Sequence, residues 1–254
     1  MGLIIQSALP DSSISHFVHS FWMLENNTGK DIPSTILPNG MVDLAAININ
    51  SEGWKISIRG LDTIPSAIHI PIGTKMFSIG FKLLAVEYLF GDSIKDVLNG
   101  GKNISDKIWQ FQESDLNTFE IFCSKVTQII KGSLINDMDN RKKKLFDLIY
   151  FSEGSITVKE LSENVFWSSR QINRYFNQQF GISLKAYCNI LRFGSSFKSI
   201  SEGNLFPDQN FSDQNHFIKE IKKYSGVTPK ELSKNADNRF MDIVAIKKTN
   251  PKNG

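Results

Sequence analysis

The chain has 254 residues, 41% of them apolar, with 29 Lys and Arg against 26 Asp and Glu for a formal net charge of +3. This size and apolar share allow two medium domains with real cores. They exclude a membrane helix, because no run approaches eighteen consecutive apolar residues.

The two cysteines, Cys123 and Cys188, lie in helical patterns with no second ligand nearby, as free thiols of a reducing cytoplasm do. The opening residues lack the basic end and long apolar run of a signal peptide, so a cytoplasmic location is expected. Charge is divided unevenly. Residues 1–140 carry 10 Lys and Arg against 15 Asp and Glu, whereas residues 141–254 carry 19 against 11. The basic half points to a polyanionic partner, though charge alone does not separate DNA from RNA or a membrane surface.

In chain order, residues 1 to about 110 read mainly as strands. Val18, Phe21, Trp22 and Leu24, with Phe17 before them, form a β segment ending at the turn composition Asn26-Asn27-Thr28-Gly29. Pro38-Asn39-Gly40 is a turn in which Gly40 can take positive φ, and the apolar run from Met41 to Ile49 follows it. Trp54, Ile56 and Ile58 alternate with Lys55, Ser57 and Arg59, the period of a half-exposed strand. Ile64, Ile68, Ile70 and Ile72 continue the pattern up to a further strand after Gly73. Leu83, Val86 and Phe90 then recur at helical spacing, closed by Gly91, with Glu87 the helix's only charge.

The expected architecture is a β-rich barrel or sandwich, its interior either open to a small ligand or filled with its own side chains. Asp43 stands inside an apolar strand, and a buried carboxylate needs a partner; a hydrogen bond to a neighbouring turn is expected. His16 and His19 are three apart and so point to opposite faces of a strand, which argues against a shared metal ion, with or without His69. No nucleophile–base pair, phosphate-binding glycine loop or Cys/His cluster is visible. Neither an enzyme nor a resident cofactor or metal is expected.

Leu116, Phe119, Phe122, Cys123, Val126, Ile129 and Ile130 form a helical stripe that breaks near Gly132. The next helix starts with Arg141-Lys142-Lys143-Lys144 and has Leu145, Leu148, Ile149 and Phe151 as its apolar positions. The four cations suit either a solvated face or phosphate contact. Thr157 with Glu160, and Ser168 with Gln171, are capping boxes that open two short helices. In the second of these, Ile172, Tyr175, Phe176 and Phe180 make an apolar stripe, and Arg170, Asn173, Arg174 and Asn177 share a face without acids. Arg matches the acceptors of guanine and Asn the donor–acceptor pair of adenine in the major groove. A longer helix from Ser183 follows. A further candidate runs from about Asp213 to Tyr224, and Thr228-Pro229-Lys230-Glu231 opens the next helix.

Two short helices joined by about three residues, given twice around a connecting helix, resemble the DNA-binding domain of the AraC/XylS transcription regulators. The resemblance covers about residues 145–234. It rests on Leu161, Ser169-Arg170-Gln171-Ile172-Asn173-Arg174-Tyr175-Phe176, Phe180-Gly181, Asp213-Gln214-Asn215-His216-Phe217 and Gly226-Val227-Thr228-Pro229. The first half is similar to β-rich N-terminal domains of some of these regulators through Phe21-Trp22-Met23-Leu24-Glu25, Leu37-Pro38-Asn39-Gly40 with Asp43-Leu44, Gly80-Phe81 and Phe90-Gly91.

The fold class implied is α+β: a β-rich sensor or dimerisation domain over residues 1–132, a double helix-turn-helix domain over 137–235, and a tail over 236–254. The resemblance implies base contacts from Arg170, Asn173 and Arg174, with Gln171 and Asn177 at the edge, and from Gln214, Asn215 and Lys219, with Ile218 against a thymine methyl. His216 is expected to pack or to hydrogen-bond structurally rather than to act as a ligand. The implied partners are double-stranded promoter or operator DNA, a small-molecule effector, a second copy of the chain and, for an activator, RNA polymerase.

Two departures stand out. Phe166-Trp167 replace the glycine common in the first turn, and the helix supporting the second reader must fit within residues 204–210, which Pro207 interrupts. The competing expectation is therefore an adaptor that binds a ligand or protein and has weakened DNA binding.

Overall fold

Period-two alternation in the first half produces the strands β1 (Leu3–Ala8), β2 (Val18–Asn26), β3 (Ile32–Ile36), β4 (Val42–Ile49), β5 (Trp54–Arg59), β6 (Ser66–Ile70), β7 (Thr74–Phe81) and β8 (Gly101–Asn103). The computed structural model describes residues 2–105, 109, 111–133, 138–206, 211, 213–236 and 238–249. Six strands pair in the order β1-β2-β7-β4-β5-β8, and β3 pairs with β6 apart from them. The paired strands are antiparallel throughout.

The register sorts side chains onto two faces. Leu44 stands opposite Ile79 and Ala46 opposite Phe77. That face meets α1 (Phe119–Gly132), where Phe77 stacks on Phe122 with ring centroids 5.2 Å apart. The other face carries Asp43, Ala45, Ile47 and Ile49 beside Trp22, Leu24 and Met76. Between this second face and the β3–β6 pair lies a cavity of about 620 Å³. The β-rich half is therefore open inside rather than filled by its own side chains.

Between β7 and β8 the expected short helix is present, but it widens into a π turn over Val86–Phe90 before Gly91 closes it at φ 70°. The stripe beginning at Leu116 is divided. A 3₁₀ turn spans Glu113–Leu116, and α1 starts only at Phe119, where Thr118 caps it through the Ile121 N–H.

The second half contains α2 (Asn140–Phe151), α3 (Val158–Val165), α4 (Ser169–Phe180), α5 (Leu184–Ser201), α6 (Gln214–Ser225) and α7 (Pro229–Lys234). Phe151, expected among the apolar positions of α2, is 92% exposed, because α2 ends at that residue and its buried stripe stops at Ile149. Arg192, expected on the outside of α5, instead turns back to donate to the Gly154 carbonyl at 3.0 Å.

Residues 236–254, expected as a tail, contain α8 (Met241–Thr249), which returns to the β-rich half. The Thr35 N–H and the Ser34 hydroxyl both donate to the Arg239 carbonyl, at 2.7 and 3.0 Å. Met241 and Val244 join Ile5, Leu24 and Ile70 in a small apolar cluster.

The two halves share one apolar core. Phe81, Leu83 and Leu84 are continuous with Phe146, Ile149, Phe176 and Tyr187. A buried tyrosine pair stitches this seam: the Tyr150 hydroxyl accepts from the Leu83 N–H at 2.9 Å and lies 2.7 Å from that of Tyr187, which donates to the Gly40 carbonyl at 3.0 Å. Gly40 takes φ 79°, as its turn requires, and a Cβ there would meet Leu191 at 2.7 Å.

Candidate nucleic-acid interface

The first helix pair forms through local hydrogen bonds that the sequence specifies. Glu160 N–H donates to the Thr157 hydroxyl at 3.2 Å, and Thr157 N–H donates to the Glu160 carboxylate at 2.8 Å. Gln171 N–H donates to the Ser168 hydroxyl at 3.3 Å, and Ser168 N–H to Gln171 Oε1 at 2.8 Å. Each box satisfies amide groups that a helix start leaves without partners. Between α3 and α4, Phe166 takes the left-handed conformation at φ 56° with its ring 86% exposed. The turn thus keeps the backbone shape that glycine adopts freely, at the steric cost of a Cβ. The Ser162 hydroxyl donates to the Trp167 carbonyl at 2.6 Å, and the Trp167 ring packs edge-on against Tyr175 at 5.6 Å.

On α4, Ile172, Phe176 and Phe180 are buried, and Phe176 and Phe180 pack on Phe146 of α2 at 5.8 and 6.0 Å. The opposite face presents Arg170, Gln171, Arg174 and Asn177 as exposed residues, with Asn173 half-buried. Neither Arg170 nor Arg174 pairs with a carboxylate among the described residues. The amides are less free. Asn173 donates to the Ser169 carbonyl at 3.0 Å and Asn177 to the Asn173 carbonyl at 2.8 Å, so one donor of each lies against its own helix. Gln171 is engaged in the cap. The two arginines are therefore the groups on this face best able to meet an external acceptor.

On α6, Phe217, Ile221 and Tyr224 are buried, Gln214, Asn215 and Lys219 are exposed, and Ile218 is half-buried. Asp213 caps the helix by accepting from the His216 N–H at 2.8 Å. The His216 ring packs edge-on against Phe211 at 5.8 Å. Glu220 lies on this helix and pairs with Lys223 at 3.7 Å. Residues 204–206 are not helical. The rest of the segment expected to support α6, residues 207–210, lies outside the described residues.

The cations at the start of α2 are mostly engaged. Arg141 pairs with Asp139 at 2.9 Å and lies over the Trp167 ring at 5.4 Å, and Lys143 pairs with Asp147 at 2.6 Å. Lys142 pairs with Glu87 of the β-rich half. Glu87 also accepts from the Tyr175 hydroxyl at 2.9 Å, and burial with this neighbouring charge holds the Tyr175 phenol well above its ordinary pKa. The Tyr88 hydroxyl accepts from the Asp139 N–H at 2.9 Å. The C-terminal end of α4 is held too: the Ser93 hydroxyl lies 3.0 Å from the carbonyls of both Gln178 and Gln179, and Ile94 N–H donates to Gln179 at 3.0 Å. The β-rich half thus supplies donors that a helix end lacks. Glu87, as a lone charge in an apolar helix, carried a sequence signal; Ser93 carried none.

The cavity and the seam meet at two carboxylates. Asp43 and Asp242 line both the 620 Å³ cavity and a cleft of about 500 Å³ between the halves. Burial pushes Asp43 up to about 7, with Asp242 and Asp62 repelling its charge. Arg59 faces Asp43 across β4–β5 but is held by Asp62 through two bonds of 2.7 Å. The expected hydrogen bond from a turn to Asp43 is not formed among the described residues. The nearby turn residue Asn39 instead accepts from the Met41 N–H at 2.9 Å and donates to Asp242 at 3.4 Å. Burial also pushes Asp242 up to about 6. His19, exposed on β2, lines the cleft beside Lys82. Among the described residues no three His, Cys, Asp or Glu side chains come together as a metal site.

Residues 6–101 match the model of a domain of unknown function, DUF6597. The arabinose operon regulatory protein of Escherichia coli K12 is 24% identical over 165 residues, covering 61% of this chain and 54% of that protein. The chain therefore spans about half the length of the curated relative it matches. ToxT from Vibrio cholerae gives a TM-score of 0.43 at 12% identity, covering 90% of this chain and 96% of its own. A ToxT structure bound to (E)-4-(8-methylnaphthalen-1-yl)but-3-enoic acid gives 0.42 at 13% identity, covering 91% and 98%. The resemblance to AraC-type regulators read from the residues is borne out by the match to the arabinose operon regulatory protein.

Proposed function

We propose that this chain, which resembles the AraC/XylS regulators, is a sequence-specific DNA-binding transcription regulator that does no chemistry of its own. The observation carrying this reading is the exposed face of α4. Two arginines without carboxylate partners project from an acid-free helix, and that helix is braced by a complete α3, the tight turn at Phe166-Trp167 and the core. Such a helix suits the major groove, where a forked guanidinium meets the paired acceptors of guanine. α6 adds Gln214, Asn215 and Lys219, with its lysines contributing mainly to phosphate attraction.

The β-rich half is the proposed sensor. Its cavity is large enough for a small molecule. Occupancy there would reach α4 through the wall shared with α8 and the seam at Glu87, Lys142 and Tyr175. A second copy of the chain and RNA polymerase are further proposed partners. Footprinting on DNA upstream of the chain's own coding region tests the reading. A protected site is expected at low salt, with affinity falling steeply as salt rises. The non-helical residues 204–206 favour a second reading, an adaptor with weakened DNA binding, and no protected site at low salt would establish it in place of the first.

A further inference from the structure

We infer that the cavity in the β-rich half takes an amphiphilic organic cation, an ammonium on an apolar body, with the ammonium held by Asp43. This rests on the reading of that cavity as an effector site. The inward row of β4 runs Asp43, Ala45, Ile47, Ile49, a carboxylate at the head of an apolar track, continued by Trp22, Leu24 and Met76 on the neighbouring strands. Asp43 accepts no hydrogen bond from any described side chain or backbone group. Its natural counter-ion, Arg59, is chelated by Asp62. That engagement also leaves Arg59 poorly placed to hold a ligand carboxylate. Asp242, on α8, brings a second acid to the same wall.

Asp43 lies half-buried in a mostly apolar wall without donors, which is costly for a carboxylate, and the cost is settled either by keeping a proton or by gaining a cation. Burial and then the neighbouring acids Asp242 and Asp62 push Asp43 up to about 7, so it keeps its proton below that pH. An entering ammonium takes the place of that proton, which leaves to solvent, so charge balances. The other ionisable groups around Asp43 are Asp62 and Arg59 by β5, Asp242 on α8, His69 on β6, and His19, Lys82, Tyr150 and Glu153 across the cleft. Lys102, on the short edge strand β8, is exposed and can extend its ammonium into water.

The test is calorimetry on the full chain with octylamine, octanol and octanoate as probes, at pH 6 and pH 8 and in two buffers of different ionisation heat. Octylamine is expected to bind at least about tenfold tighter than the other two at pH 8. It should weaken about tenfold at pH 6, where roughly nine in ten Asp43 groups hold their proton, and it should release a proton on binding near pH 7. Asp43→Asn should abolish the preference for the amine while keeping octanol binding, and Asp242→Asn should reduce it by less. Octanoate binding as tightly as octylamine, or an amine preference that survives in Asp43→Asn, overturns the inference and leaves the effector site standing. If none of the three probes binds, the effector-site reading fails together with it.

Discussion

The two helices that present polar faces, α4 and α6, share a format but differ in what holds them. α4 carries no acid, follows a complete partner helix, and has both ends tied: the start by its capping box and the end by Ser93 and Ile94 of the β-rich half. α6 has a one-sided cap from Asp213, carries Glu220 within its own surface, and follows residues 204–206 that are not helical. The difference teaches that amphipathic spacing sets which side chains face outward. Bracing decides which of them can read a base, since discrimination needs a side chain held in register.

The largest expected effect tests that contrast directly. Arg174→Ala should cost about 1–3 kcal/mol in binding to the specific site and little on random DNA, as competition footprinting would register. Equal losses on both DNAs would show that α4 only positions phosphates. Next, Glu87→Ala removes the acceptor shared by Lys142 and Tyr175. It should lower stability by roughly 2 kcal/mol in chemical denaturation, less than a fully buried pair because both partners are partly solvated. Glu87→Gln should recover part of this by keeping the bond from Tyr175. If Glu87→Ala leaves stability unchanged, the seam does not brace α4.

A gain is expected from Phe166→Gly. Relieving the left-handed strain should stabilise the chain by about 1 kcal/mol, raising Tm by roughly 2–4 °C; a lower Tm would mean that the exposed ring packs in solution. The smallest effect belongs to α6. Lys219→Ala should weaken all DNAs alike by a few tenths of a kcal/mol to about 1 kcal/mol and reduce the salt slope by about one. A change in base preference instead would make α6 an equal reader.

Much of this arrangement was legible in the residues. The boxes at Thr157–Glu160, Ser168–Gln171 and Thr228–Glu231 all form, because capping is local chemistry over four residues. The strand alternation gave the two faces of the sheet. What escaped were contacts between distant parts of the chain. The return of α8 rests on Met241, Ile243 and Val244, an apolar set too short to show which surface it seeks. The company of Asp43 is set by Asp242, which no spacing rule connects to it. The turning back of Asn173 and Asn177 onto their own helix is a rotamer choice that composition does not encode. Glu87 stands out in the sequence as a lone charge, but its partners Lys142 and Tyr175 come from the other half.

The return of α8 also has a consequence during synthesis. Asn39 and Asp242, which meet at the cavity wall, are separated by 203 positions in the chain. At translation rates of about 5–20 residues per second, one emerges roughly 10–40 s before the other. The β-rich half therefore waits, with the face of its sheet that α8 will cover still exposed, until α4 and α6 have both been made. A small molecule present in the cell during that interval meets a nascent chain whose cavity is unwalled on the α8 side.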